Sequence, residues 1–432
     1  MKQPALILVS LVLMVILFGD QSKAIPAFAR KYATSCQTCH NGFPKLNAFG
    51  EAFRRNGFQF PAGTDPEMIK QDQISLGSEG NKKEFPDAIW PGSLPGSSPI
   101  SLFLNSEADY NPKTDPRFTF GQLGTEIEAV AAGTLGEDLS FWGHAILDDG
   151  STIELNRMYL LFSNLIGSSF AFNGKVGVFE PGVFSFSTHR AWTEGYWITT
   201  QSLPGNSDMT WTLEEIQKGI EFNGMVNGRF GYNAGIVEGF GAPHADKDFY
   251  GHITYKISGL PLDGVVDSGA TFSGQKPWID NSLTLGAFAY LGDASLGPDS
   301  MLQENKFSYV GGDFNAYYDR FNLFGGVGIR HDDQPYVGSL GTSINSTVWF
   351  TELDVVIFPW LLPGVRYENW NGNMLVNGST VSFTDAQFVP GVVFLIRPNV
   401  KTTVRTSISK LESNGDTEFS LGQVQFLLTV GL

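Results

Sequence analysis

Cys36, Gln37, Thr38, Cys39 and His40 stand in the order C-x-x-C-H. That spacing is the attachment site of a c-type haem. Cys36 and Cys39 would each bond one porphyrin vinyl group, and His40 would ligate the iron on one face. They are the only two cysteines in the 432 residues. A disulfide between them leaves the adjacent histidine without a reason, and a zinc site would want more Cys or His nearby. For the second axial position, the first methionine after the motif is Met68, in Asp65-Pro66-Glu67-Met68. A methionine there would raise the potential. Met158, His144, His189, His244 and His252 are further candidates, and an open or water-ligated site is the remaining alternative.

Export fits this chemistry. Lys2, the apolar run Leu6 to Phe18 and the small residues of Ser22-Lys23-Ala24 read as a secretory signal peptide over 1–24, too short for a membrane span. Taking away Lys2, Lys23 and Asp20 lowers 28 basic and 44 acidic residues to 26 and 43, a charge of −17. Such a balance argues against nucleic acid and anionic lipid surfaces as partners, and favours cations. No Ser/His/Asp signature, phosphate-binding glycine loop or second metal motif is present.

Three parts follow the signal. Residues 25–60 form the haem segment: Pro44 could open a helix, Leu46, Phe49 and Phe53 recur at helical spacing, and Gly57 follows Arg54 and Arg55 as a stop. So short a segment cannot fold without its cofactor or a neighbouring surface. Residues 61–100, with Pro61, Pro86, Pro91-Gly92, Pro95-Gly96 and Pro99, read as a linker. Residues 101–432 alternate apolar and polar on a period of two, as in Ile220, Phe222 and Val226 against Glu221, Asn223 and Asn227. The count is about sixteen strands, an even number. Short turns at 228–232, 318–321, 359–362 and 397–399 alternate with longer stretches at 181–218, 292–306, 332–345 and 371–383. Short periplasmic turns and long outer loops are the pattern of an outer-membrane barrel. One connection, 259–280, is long where a short turn is due: either the count is off by two or the chain makes a periplasmic excursion. A β-sandwich or two lipocalin-like barrels are the soluble alternatives.

The stretch from Ile25 to Pro61 resembles the N-terminus of the outer-membrane monohaem cytochrome–porin fusions, known as iron oxidases of iron-oxidising bacteria. The matching residues are Pro26, Phe28-Ala29-Arg30, the C-x-x-C-H, Pro44, Leu46, Phe49-Gly50 and Gly57. The resemblance implies a small haem segment plugging a transmembrane antiparallel β-barrel of about sixteen strands. It also implies one covalent haem c passing electrons from extracellular Fe(II) to a soluble periplasmic cytochrome, as an Fe(II):cytochrome c oxidoreductase. Asp148-Asp149, Asp332-Asp333 and Glu214-Glu215 could draw metal cations, solvate the surface, or contact divalent ions bridging outer-membrane lipid. Electron export to an extracellular acceptor, and a porin whose haem segment gates or stabilises the pore, are the competing functions.

Overall fold

Strand Asp248–Lys256 has its polarity reversed relative to a soluble core. Phe249, Ile253 and Tyr255 are exposed, whereas Asp248, Tyr250, His252, Thr254 and Lys256 are buried. Apolar outside and polar inside suits a wall between lipid and a lumen. Ile220, Phe222 and Val226 are likewise exposed and Glu221 buried, as their alternation predicts. In the computed structural model the described residues are 27–70, 73–75, 83–84, 93–95, 99–121, 126–148, 152–187, 192, 195–203, 207–213, 216–240, 247–265, 279–298, 302–339, 341–376, 378–413 and 416–431. The signal-peptide segment 1–24 and half of the expected linker lie outside them, as do His189, His244, Asp149, Glu214 and Glu215.

Nineteen hydrogen-bonded segments close one antiparallel barrel. Three of its strands are each interrupted once, which leaves sixteen. They are β1 (Ile100–Tyr110), β2 (Phe118–Phe120 and Glu126–Thr134), β3 (Leu139–Asp148) and β4 (Thr152–Phe162). Next come β5 (Asn173–Phe179), β6 (Gln217–Val226), β7 (Phe230–Val237) and β8 (Asp248–Lys256). Then follow β9 (Ser282–Leu296), β10 (Gln303–Tyr318), β11 (Phe321–Asp332) and β12 (Ile344–Val355). The last are β13 (Leu361–Val376), β14 (Ser379–Arg397), β15 (Val400–Arg405 and Ile408–Ser413) and β16 (Asp416–Leu421 and Val424–Gly431). β16 pairs with β1, Val424 opposite Tyr110 and Gly431 opposite Phe103, so no edge is left. A closed barrel with an apolar outer face excludes the sandwich and the lipocalin pair. No described helix is long and apolar enough to cross a membrane, so the strands are what cross. This is an outer-membrane β-barrel.

Two expected loops are shorter than their polarity suggested. β9, β10, β13 and β14 continue so far that the connections are only 297–302 and 377–378. Polar residues such as Asn369, Asn371 and Asn373 lie on those long strands, where Asn371 donates to Asn369 at 2.5 Å and Ser382 to Asn373 at 3.1 Å. Gly378, at φ +79°, supplies the left-handed residue of the tight β13–β14 turn. The connection 257–281 joins β8 to β9 at the short-turn end, and with sixteen strands counted it is an excursion there; its residues 266–278 lie outside the described ones.

Both ends of the lumen are filled. Residues 27–70 lie inside the wall at the short-turn end. Ala27 N–H donates to Ser101 Oγ at 2.9 Å, Asn56 Nδ2 to the Asp263 carbonyl at 2.8 Å and Gln59 Nε2 to the Glu137 carbonyl at 2.6 Å. From the opposite end the β5–β6 connection folds inward and buries Tyr196, Ile198, Met209 and Trp211. The Trp211 ring lies 4.6 Å from Tyr290 and 4.8 Å from Phe307.

Candidate functional site

The plug is built from short pieces tied to one another. α1 (Ala27–Tyr32) leads to a single 3-10 turn, Cys36–Thr38, which carries the first thiol. His40 then pairs with Leu46 in a one-residue bridge, and α2 (Ala48–Arg55) follows. α2 starts later than Pro44 because Asn47 is its cap, its side chain accepting from Gly50 N–H at 2.8 Å. Gly57, at φ +65°, ends it where the sequence predicts.

The plug does not stop at residue 60. Pro61–Gly63 and Asp65–Met68 turn back onto it, and Asp65 is its polar hub. The Asp65 carboxylate accepts from Tyr32 Oη at 2.7 Å, Phe60 N–H at 2.9 Å and Lys31 Nζ at 3.4 Å. Burial and the carboxylate push the Tyr32 phenol far above its ordinary value, so it stays a donor. Density of proline and glycine marked this stretch as linker, but Pro61 is buried and the turns are hydrogen-bonded.

Cys36, Cys39 and His40 face a cavity of about 560 Å³ between the plug and strands β1–β4, β15 and β16. That volume lies within the ~300–1,000 Å³ of ligand and cofactor sites. Its walls carry a cluster of aromatic side chains: Phe28, Tyr32, Phe43, Phe53, Phe58 and Phe60 from the plug, Phe103 and Trp142 from the barrel. Phe43 stacks on Phe103 at 4.9 Å and Phe58 on Trp142 at 5.6 Å, so the two bodies share one apolar lining. Its lining also holds Glu107, Glu128, His144, Arg157, Lys401 and Arg405.

The donor set fits a covalently tethered haem. His40 Nδ1 lies 3.1 Å from the Pro44 carbonyl. That bond takes the Nδ1 proton and leaves the lone pair on Nε2, the second-shell arrangement that orients a ligating imidazole. Burial raises the Cys36 thiol, and burial together with Cys36 pushes Cys39 up to about 12. Neutral thiols are poor metal ligands, and both cysteines are half-buried and unbridged.

The other named residues scatter. Met68 packs against Tyr32, Phe53 and Phe58 and is not among the residues lining the cavity. Met158 is exposed on the outer face of β4. His252 is buried in the lumen, 2.9 Å from Asp313, away from the cavity. His144 does line it, 2.9 Å from Glu128. Asp332 is buried, bonded by Arg330 at 2.7 Å and Asn305 at 2.8 Å, and therefore is not an open loop acid. Among the described residues no three His, Cys, Asp or Glu side chains gather as a metal site.

No family model matches the chain, and no curated protein is similar to it. Among solved structures, the outer membrane channel DcaP of Acinetobacter baumannii is similar at 10% identity and a TM-score of 0.49, over 77% of this chain and 96% of that one. OmpF of Salmonella typhi, in complex with daunomycin, gives 11% and 0.48 over 77% and 97%. The anion-selective porin from Comamonas acidovorans gives 11% and 0.46 over 77% and 97%. These likenesses are to barrels, and they carry nothing about what this chain binds or moves.

Proposed function

We propose that the chain is a one-haem electron carrier of the outer membrane, taking electrons from extracellular Fe(II) and passing them to a soluble periplasmic cytochrome. The observation that carries this reading is the C-x-x-C-H turned into an aromatic cavity between plug and barrel. Cys36 and Cys39 would tether the haem c and His40 would ligate its iron. Bound there, the haem supplies a one-electron redox centre whose potential its ligands and burial set.

The chain's own residues do the rest. The Pro44 carbonyl holds the His40 ring in one orientation. The phenylalanines of plug and wall would give the porphyrin an apolar seat, which favours a small reorganisation on electron transfer. Docking on the barrel fixes the motif at the end of the lumen where a periplasmic partner can approach.

The test is anaerobic mixing of the purified, haem-loaded protein with ferrous salt while the haem bands are followed. Reduction that disappears in Cys36→Ala and Cys39→Ala variants is the expected result. A haem that ferrous iron cannot reduce at any pH where the protein is folded removes Fe(II) as donor and turns the direction toward export. A second reading, a solute channel with the haem segment as its gate, is favoured by the sixteen-stranded porin-type architecture. Conductance of the intact protein in a planar bilayer separates the two, because an electron carrier has no need of an open lumen.

A further inference from the structure

Beside the aromatic cavity lies a second one of about 140 Å³, enclosed by α2 of the plug, strands β4–β7 and the start of the inward β5–β6 connection. Its lining carries Arg54, Arg55, Arg157 and Lys175 against two carboxylates, Glu180 and Glu221. Cations of this number in a lumen need anions, and the nearby anions are already used.

Glu221 accepts from Tyr250 Oη at 2.6 Å and Gly182 N–H at 3.2 Å, and pairs with Lys175 at 2.8 Å. Glu51 takes Arg54 through two bonds, at 2.8 and 3.1 Å. Glu128 is held by His144 and Asn105, and Asp313 by His252 and Ser185. Arg55 and Arg157 are left. The Nε–H of each is buried with no acceptor. Burial and the adjacent Arg54 push the Arg55 guanidinium down to about 10, so it is still charged at neutral pH. A buried N–H donor without an acceptor is costly, and a planar fork of donors suits an oxyanion.

We propose that Arg55 and Arg157, helped by Arg54 of the same lining, form an oxyanion-binding site inside the plugged barrel. The space equals several waters at ~30 Å³ each, enough for a tetrahedral oxyanion or a pair of carboxylates. The cavity is continuous in its lining with the aromatic one, sharing Arg54, Phe58, Trp142 and Arg157. The oxyanion has two sources, a free inorganic anion or the carboxylates of a cofactor seated next door. The site itself does not depend on the haem reading.

The test is calorimetric titration of inorganic phosphate, at low ionic strength, into full-length protein in detergent. The chains compared are the haem-loaded wild type, its Arg55→Gln and Arg157→Gln variants, and the haem-free Cys36→Ala/Cys39→Ala protein. Binding to the loaded wild type that weakens about 10- to 100-fold in either arginine variant supports a free oxyanion. Binding only to the haem-free protein supports the same site filled by the cofactor's carboxylates. Phosphate bound equally by wild type and both variants, or by no form at all, overturns the proposal. Arg55→Lys and Arg157→Lys, which keep the charge but lose the fork, guard against misfolding: if the site is real they bind more tightly than the glutamine variants and less tightly than the wild type.

Discussion

On the proposed haem reading, His144 and Met68 divide the question of the second axial ligand at the level of single side chains. His144 is the one imidazole besides His40 among the described residues that line the cavity, and no methionine lines it. Its ring is held by Glu128 at 2.9 Å, the carboxylate–imidazole pairing that commonly orients a metal-binding histidine. Met68 instead packs on the Tyr32–Phe53–Phe58 cluster. The expected outcome is that His144→Ala changes the spin state of the haem-loaded protein, seen by absorbance and electron paramagnetic resonance. Met68→Ala leaves those spectra unchanged and costs about 1–3 kcal/mol of stability through lost packing. The reverse pattern would return the ligand to Met68.

The elements of the plug stay in place through contacts that tolerate little change. The ideal Cβ position at Gly50 on α2 falls 2.2 Å from the Cys39 carbonyl oxygen and 2.9 Å from Leu46. Gly50→Ala therefore forces α2 away from the haem motif, and the yield of covalently bound haem, read by haem stain on a denaturing gel, should fall severalfold. Asp65→Ala removes the carboxylate shared by Lys31 and Tyr32, leaving them only contacts of 3.4 Å to Thr134 Oγ1 and the Phe58 carbonyl, and should destabilise the plug by about 3–5 kcal/mol in denaturant titration. Much of this scale was legible in the sequence and some was not. The motif, the Phe49–Phe53 face and the alternation of Ile220, Phe222 and Val226 are local patterns whose period states their role. Residues 61–70 read as linker because proline and glycine are the same in a loop and in a tightly bonded turn, and only Asp65's partners tell them apart. The β5–β6 connection read as an outer loop from its length. Its Tyr196, Ile198 and Trp211 were the overlooked signal, since a solvated loop has no use for such apolar bulk. Lys45 and Asp354, which pair across the lumen, are 309 residues apart in sequence, and no local pattern reaches that far.

The whole molecule is a barrel closed from both ends, and its closure rests on ionic contacts that can be cut one at a time. The Lys45 ammonium bonds Asp354 on β12 and lies 4.3 Å from the Phe324 ring and 5.1 Å from Trp192, while Trp192 Nε1 donates to the Asn41 carbonyl at 2.7 Å. Plug, inward connection and wall thus meet at one buried cation. Lys45→Ala leaves Asp354 buried and unpaired, which costs about 3–5 kcal/mol where the pair is fully desolvated. If the plug can leave the wall as a unit, that cost falls on the closed state, and the open population rises by about two to four orders of magnitude. Single-channel recording should then show rare, brief openings in the wild type and frequent ones in Lys45→Ala, with the haem still attached. An open fraction that Lys45→Ala leaves unchanged would mean that the β5–β6 connection alone seals the lumen, and the corresponding loss should then follow Trp211→Ala, which removes the ring between Tyr290 and Phe307. A pore that opens through either change, in a protein whose proposed haem is still reduced by ferrous iron when closed, would separate the barrel's architecture from the work its plug does.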